Sequence, residues 1–187
     1  MLALKGDKFV GKPPIQMSRW IAQRILNLKN DLQFFSFFQP DTVLVPTPKS
    51  SLMRPHTLWV PERISKALVD LGLGKEVVPC LVRTKPVPKS AYSTPGGRPF
   101  PADHYDSMRV QGCLSEPGEI LLIDDIVTRG STLLGAANRL MDAFPETTIR
   151  AFAAMRTVSN PTEFREVIDP RVGTINLRAS GDTIRRP

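Results

Sequence analysis

The stretch Ile120-Leu121-Leu122-Ile123-Asp124-Asp125-Ile126-Val127-Thr128-Arg129-Gly130-Ser131-Thr132 decides the fold. Four apolar residues run into two adjacent carboxylates, and a loop of Thr128, Arg129, Gly130, Ser131 and Thr132 follows. An apolar series with helical spacing then begins: Leu133, Leu134, Ala137, Leu140, Met141 and Phe144, ended by Pro145. This is the pattern of a buried strand that delivers two acids to its C-terminal edge and of a loop that feeds a helix N-terminus. Open α/β sheets bind ligands at that edge. The loop offers hydroxyls, a glycine that lets backbone approach closely, and amides at the positive end of a helix dipole, which together make a phosphate site. Carboxylates do not bind phosphate; they suit sugar hydroxyls or a metal-bound ligand. A phosphate and a diol held side by side describe a ribose 5-phosphate.

Outward from this motif, strands and helices alternate. Met17, Trp20, Ile21, Ile25 and Leu28 have helical spacing within Ile15–Leu28. Phe34, Phe35, Phe37 and Phe38 follow and read as core, or as a hood over a pocket, in preference to a nucleic-acid stacking platform. Thr42–Val45 is a short strand broken by Pro46-Thr47-Pro48-Lys49-Ser50-Ser51. A helix is expected from near Pro61, with Ile64, Ala67, Leu68 and Leu71 on its apolar face and Gly72 as cap. Val77–Val82 and Ile149–Met155 read as further strands. Between Thr84 and Gln111 stand five prolines, two adjacent glycines and scattered charges without sustained periodicity. That segment reads as a long mobile loop with a short strand near Met108–Gln111, and loops of this length are often lids. In the tail from Asp169, Thr174–Leu177 reads as an edge strand and Arg185-Arg186-Pro187 as a frayed basic end. The alternation implies a mainly parallel sheet.

Length and composition set the frame. The 187 residues, 41% hydrophobic, suit one α/β domain with its own core. No apolar run is long enough to span a membrane, and the N-terminal run is too short for a signal peptide, so the cytoplasm is the expected compartment. Cys80 and Cys113 form neither a CxxC pair nor a disulfide framework. His56 and His104 lack metal or triad spacing and read as surface or structural residues. The net charge of +7 favours an anionic ligand and leaves nucleic acid open as a partner.

The motif resembles the phosphoribosyl-pyrophosphate (PRPP) motif of type I phosphoribosyltransferases, with Asp124, Asp125, Thr128, Gly130 and Thr132 all matching. Arg129 stands where that family has a small or hydroxyl residue; it either adds charge near the phosphate or points to solvent. Over nearly the whole chain the order of elements is similar to the competence-protein ComF branch: a helical stretch, a strand ending Val45-Pro46-Thr47-Pro48, a helix, a strand ending Leu81-Val82-Arg83-Thr84, and a charged, Pro-rich loop before the acid pair. Two features depart from that branch. The N-terminal cysteine zinc module of many members is missing, and Met53-Arg54-Pro55-His56-Thr57-Leu58-Trp59-Val60 replaces their Arg-Gly-Phe-Asn-Gln run.

The resemblance implies an α/β fold with a mainly parallel sheet flanked by helices. Residues 1–40 would form a helical and hood segment, 84–108 a flexible loop and 169–187 a tail. It implies that Asp124 and Asp125 contact the ribose hydroxyls, with Asp125 assisting proton removal. Thr128, Arg129, Gly130, Ser131 and Thr132 would wrap the 5-phosphate. Thr47, Lys49 and Ser50 fall in its pyrophosphate loop, with Lys49 facing the leaving group, and Lys85 or Lys89 would close over it from the flexible loop, which also carries Arg83 and Arg98. Mg²⁺ would bind mainly through PRPP. Two classes of function fit: Mg²⁺-dependent phosphoribosyl transfer involving a small nitrogenous acceptor such as a nucleobase, or a non-catalytic PRPP-binding regulator or ComF-like protein linked to DNA uptake. A homodimer is compatible with either.

Overall fold

The computed structural model describes residues 1–88, 98–112, 115–158 and 169–186. At its centre is a four-stranded parallel sheet. Its strands are β3 (Val43–Pro46), β4 (Glu76–Val77), β7 (Glu119–Val127) and β8 (Thr148–Arg156), arranged β4-β3-β7-β8. Register is set by Val45 beside Leu122 and Ile123 beside Phe152. The run from Ile120 to Ile123 is continuously apolar because both faces of β7 are covered. Leu121 and Ile123 pack with Leu44, Ile64 and Leu68 on one face; Ile120 and Leu122 pack with Val43, Val45 and Leu140 on the other. All four β7 residues are at most 2% exposed, and each such burial contributes roughly 1.5–3 kcal/mol.

Three helices make the layers. On the first face lie α2 (Met17–Asn27), which buries Ile21, Ala22 and Ile25, and α3 (Val60–Val69). Pro61 sits in the first turn of α3, where its missing N–H costs nothing. On the second face lies α5 (Ser131–Ala143), which crosses from β7 to β8. At the N-terminus a short α1 (Leu2–Lys5) leads to a hairpin of β1 (Phe9–Val10) and β2 (Ile15–Gln16). The phenylalanine cluster belongs to the core: Phe38 is buried and meets Phe152 edge-on, with ring centroids 5.3 Å apart.

Three expectations are corrected. The strand expected over Val77–Val82 is two strands. β4 stays in the central sheet, whereas β5 (Leu81–Arg83) leaves it and pairs antiparallel with β6 (Met108–Val110). Pro79 between them has no N–H for a ladder, and Cys80 N–H turns back to the Val78 carbonyl at 2.9 Å. Second, the segment read as loop contains the helix α4 (Pro101–Asp106). Its start has local causes: Pro101 at the first position, and the Asp103 carboxylate accepting the Phe100 N–H at 2.7 Å. It is held against α5 at Gly135, where an added Cβ would lie 2.6 Å from the Pro101 carbonyl. Third, Thr174–Leu177 (β9) is not an edge of the central sheet. It forms an antiparallel hairpin with β10 (Thr183–Arg186), so Arg185 and Arg186 are paired strand residues and not a frayed end. Among the described residues, no helix is long and apolar enough to cross a membrane.

Candidate functional site

β3 ends at Pro46, opposite Ile123, whereas β7 runs on beside β8 as far as Val127, so Asp124 and Asp125 extend past the end of β3. Thr47 fills the step left by β3. Its N–H reaches the Ile123 carbonyl at 2.9 Å, and its hydroxyl donates to Asp124 Oδ1 at 2.9 Å. The Asp125 N–H donates to the same Asp124 oxygen at 2.9 Å, and the Ile126 N–H to Asp125 Oδ1 at 2.8 Å. Burial first, and then the negative charge of Asp125, push the Asp124 carboxyl up to about 7; the Thr47 hydroxyl opposes the shift. Asp124 therefore holds its proton close to neutrality, and its charged form gains from a cation or a hydroxyl donor.

Past β7 the chain makes the expected loop into a helix. Gly130 is the residue before α5 and has φ +93°, a left-handed conformation that glycine adopts without a Cβ clash. An added Cβ there would also lie 2.6 Å from Ile175 Cδ1 of β9. The Leu134 N–H closes the first helical turn on the Gly130 carbonyl at 2.9 Å. Asp124, Thr128, Gly130, Ser131 and Thr132 line one shallow recess at this helix N-terminus. Asp124 thus lines one recess with the loop residues, while Asp125, the next residue of β7, is not part of its lining.

The side chains of the loop have partners that the motif does not name. Arg129 is ion-paired with Asp182, so it does not stand free in solvent, and it also lines the recess. Ser131 is buried with its hydroxyl 2.9 Å from that of Thr183. Thr132 Oγ1 lies 3.4 Å from His104 Nε2, and Thr128 is exposed.

The Thr47–Ser50 loop lies beside the acids through Thr47, and the Trp59 indole N–H donates to the Thr47 carbonyl at 2.8 Å. Lys49 and Ser50 are half-buried. The loop is tied to the segment after β5: Arg83 Nε donates to the Lys49 carbonyl at 3.0 Å and the Val87 N–H to the Ser50 carbonyl at 2.8 Å. Arg83 is buried, and its guanidinium also donates to the Ser107 hydroxyl and, at 3.5 Å, to the His104 carbonyl. His104 is buried and structural; burial, then Arg83, push its imidazole down to about 4, so it is neutral at physiological pH. Arg83, His104 and Ser107 form a polar strut between the Lys49 loop and Thr132 at the start of α5. Of the basic residues expected to close over a leaving group, Lys85 and Arg98 are exposed, and Lys89 lies outside the described residues. Asp182, Thr183, Arg185, Trp59 and Ser107 carry no motif that a sequence reading could use.

Among the described residues, no group of three or more His, Cys, Asp or Glu could hold a metal ion. No protein-family model matches the chain, and no curated protein matches it.

Proposed function

We propose that this protein binds PRPP with Mg²⁺ and transfers its phosphoribosyl group to a small nitrogenous acceptor, as type I phosphoribosyltransferases do. One observation carries the reading: two adjacent carboxylates on a parallel strand, past the end of its neighbour β3, lead into a glycine-containing loop at a helix N-terminus. Few ligands other than a phosphorylated sugar use both halves. The amides and hydroxyls of Thr128–Thr132 take the 5-phosphate, and Asp124 and Asp125 accept from the ribose hydroxyls. Two carboxylates supply only part of the shell of a hard cation, which fits Mg²⁺ held chiefly by the ligand's own oxygens. That ion would neutralise the departing pyrophosphate. In the reaction the C1–O bond to pyrophosphate breaks, pyrophosphate leaves with the electron pair, and a C1–N bond forms. Asp125 is the group to take the proton lost by the acceptor nitrogen. Lys49 and Lys85 supply positive charge toward the leaving group.

A second reading, a PRPP-binding regulator without turnover, is favoured by one feature. Thr47, the first residue of the pyrophosphate loop, shares its hydroxyl between Asp124 and the Ile123 carbonyl. Thermal unfolding with Mg²⁺ and PRPP tests the shared site. Ligand at about 100 times its dissociation constant should add roughly 2.7 kcal/mol, and the Asp124→Asn, Asp125→Asn double variant should lose that gain while staying folded. A full gain in the double variant would sink the ribose assignment. Release of pyrophosphate across a nucleobase panel separates enzyme from regulator.

A further inference from the structure

The hairpin of β9 and β10 lies against the phosphate loop through four contacts, about fifty residues away in sequence. Arg185 Nε donates to the Thr128 carbonyl at 3.1 Å, and its Nη2 donates to the Thr157 carbonyl at 2.6 Å. Asp182 pairs with Arg129. Thr183, 2% exposed, shares a hydroxyl–hydroxyl hydrogen bond with Ser131. Ile175 occupies the space that a side chain on Gly130 would need. So each loop residue from Thr128 to Ser131 has its own partner on the hairpin.

We propose that this hairpin is the outer half of the phosphate site and that Arg185 is a positioning residue for it; the ligand in this inference rests on the reading above. The geometry of a trans peptide supplies the reason. Its C=O and N–H point in opposite directions, so a Thr128 carbonyl held toward Arg185 turns the Arg129 N–H away from the hairpin. The guanidinium fork spans two carbonyls, one in the loop and one just beyond β8, whose Thr157 N–H is in turn bonded to the Val127 carbonyl at 3.0 Å. The peptide plane is therefore braced against the sheet itself. The Arg129–Asp182 pair fixes a long cationic side chain at the rim of the recess and partly neutralises it, so backbone amides and small hydroxyls remain the principal donors. Preorganised donors of this kind bind an anion without reorganising as it arrives. The apparent departure of Arg129 from the family pattern thus has a partner in this chain's own C-terminal hairpin.

The test uses the full chain. Amide hydrogen exchange of residues 128–132 is measured without ligand, and ribose 5-phosphate affinity by calorimetry, for wild type, Arg185→Gln, Arg185→Lys and Arg178→Gln. Arg178 is exposed on the same hairpin and is the control. Arg185→Gln should speed loop exchange and weaken ribose 5-phosphate, each by about tenfold, the size of losing a charged hydrogen bond. Arg185→Lys keeps the charge but not the fork and should resemble Gln, while Arg178→Gln should resemble wild type. Loop exchange in Arg185→Gln equal to that of wild type overturns the proposal. Equal weakening by Arg178→Gln does so too, because only net charge would then matter. If wild type does not bind ribose 5-phosphate, the ligand assignment fails, and the exchange data alone decide whether Arg185 positions the loop.

Discussion

Asp124 is held where its own negative charge is disfavoured. Its carboxyl, pushed up to about 7 by burial and by Asp125, binds its proton more tightly when folded than unfolded. A raised acid costs stability as pH climbs: the contribution is complete below the unfolded value near 3.8 and is lost as pH rises to the folded value. Asp124→Asn should therefore be more stable than wild type at pH 8, with a smaller difference at pH 5. The gap should widen by about 2 kcal/mol over that interval, read by urea denaturation at the two pH values. The same variant should lose Mg-PRPP affinity. Wild-type affinity should itself rise with pH through 7, as the site ionises for its cation. An unchanged gap between pH 5 and pH 8 would mean that Asp124 is an ordinary solvated acid. Removing a destabilising buried charge should stabilise the fold and, on the proposed reading, cost ligand affinity.

At the scale of elements, the contact between α4 and α5 decides where the far end of the expected loop sits. α4 has six residues, and its hold on α5 is close approach at Gly135 together with Arg139. That guanidinium lies 3.6 Å from the Tyr105 ring centroid and donates to the Tyr105 carbonyl at 2.8 Å. In an exposed helix, Gly→Ala adds about 1 kcal/mol of stability. Here the new methyl would meet backbone at 2.6 Å and 2.9 Å, which a side-chain rotation cannot relieve. Gly135→Ala should instead lose about 1–3 kcal/mol. Exchange should quicken in α4 and in β6, whose residue Met108 is buried in the same core. A stabilised Gly135→Ala would show that α4 does not rest on α5. Because α4 also carries His104, the variant should loosen Thr132 as well.

For the whole molecule, the +7 charge has to be assigned to a purpose. Several arginines are satisfied internally: Arg129 by Asp182, Arg150 by Glu119 and Arg156 by Asp169. Arg98, Arg109, Arg178 and Arg186 are exposed. Any contact with nucleic acid should then be electrostatic and sequence-tolerant. Single-stranded DNA of several sequences should bind with similar affinity at low salt, and log affinity should fall linearly with log salt. No binding at low salt would remove a DNA-linked role and leave the charge to the anionic small molecule.

What the sequence determined by itself is the contiguous part. The apolar run of β7, its acid pair, the Thr128–Gly130 loop and α5 are successive residues, and periodicity over neighbours is enough to place them on strand, loop and helix. The first-turn Pro61 of α3 was legible for the same reason. Tertiary structure alone decided the rest, because a burial pattern says that a side chain needs a partner without saying which. Nothing near Thr128 in the chain points to Arg185, nothing near Lys49 points to Arg83, and Ser131 meets Thr183 across 52 positions. α4 is too short to show a helical period, and its hold depends on a glycine in another helix. β5 leaves the central sheet because a proline interrupts the ladder and β6 offers a second partner, a competition settled only once both strands are in place. The chemistry of the site is therefore local in sequence, whereas its rigidity comes from distant residues that meet only in the folded chain.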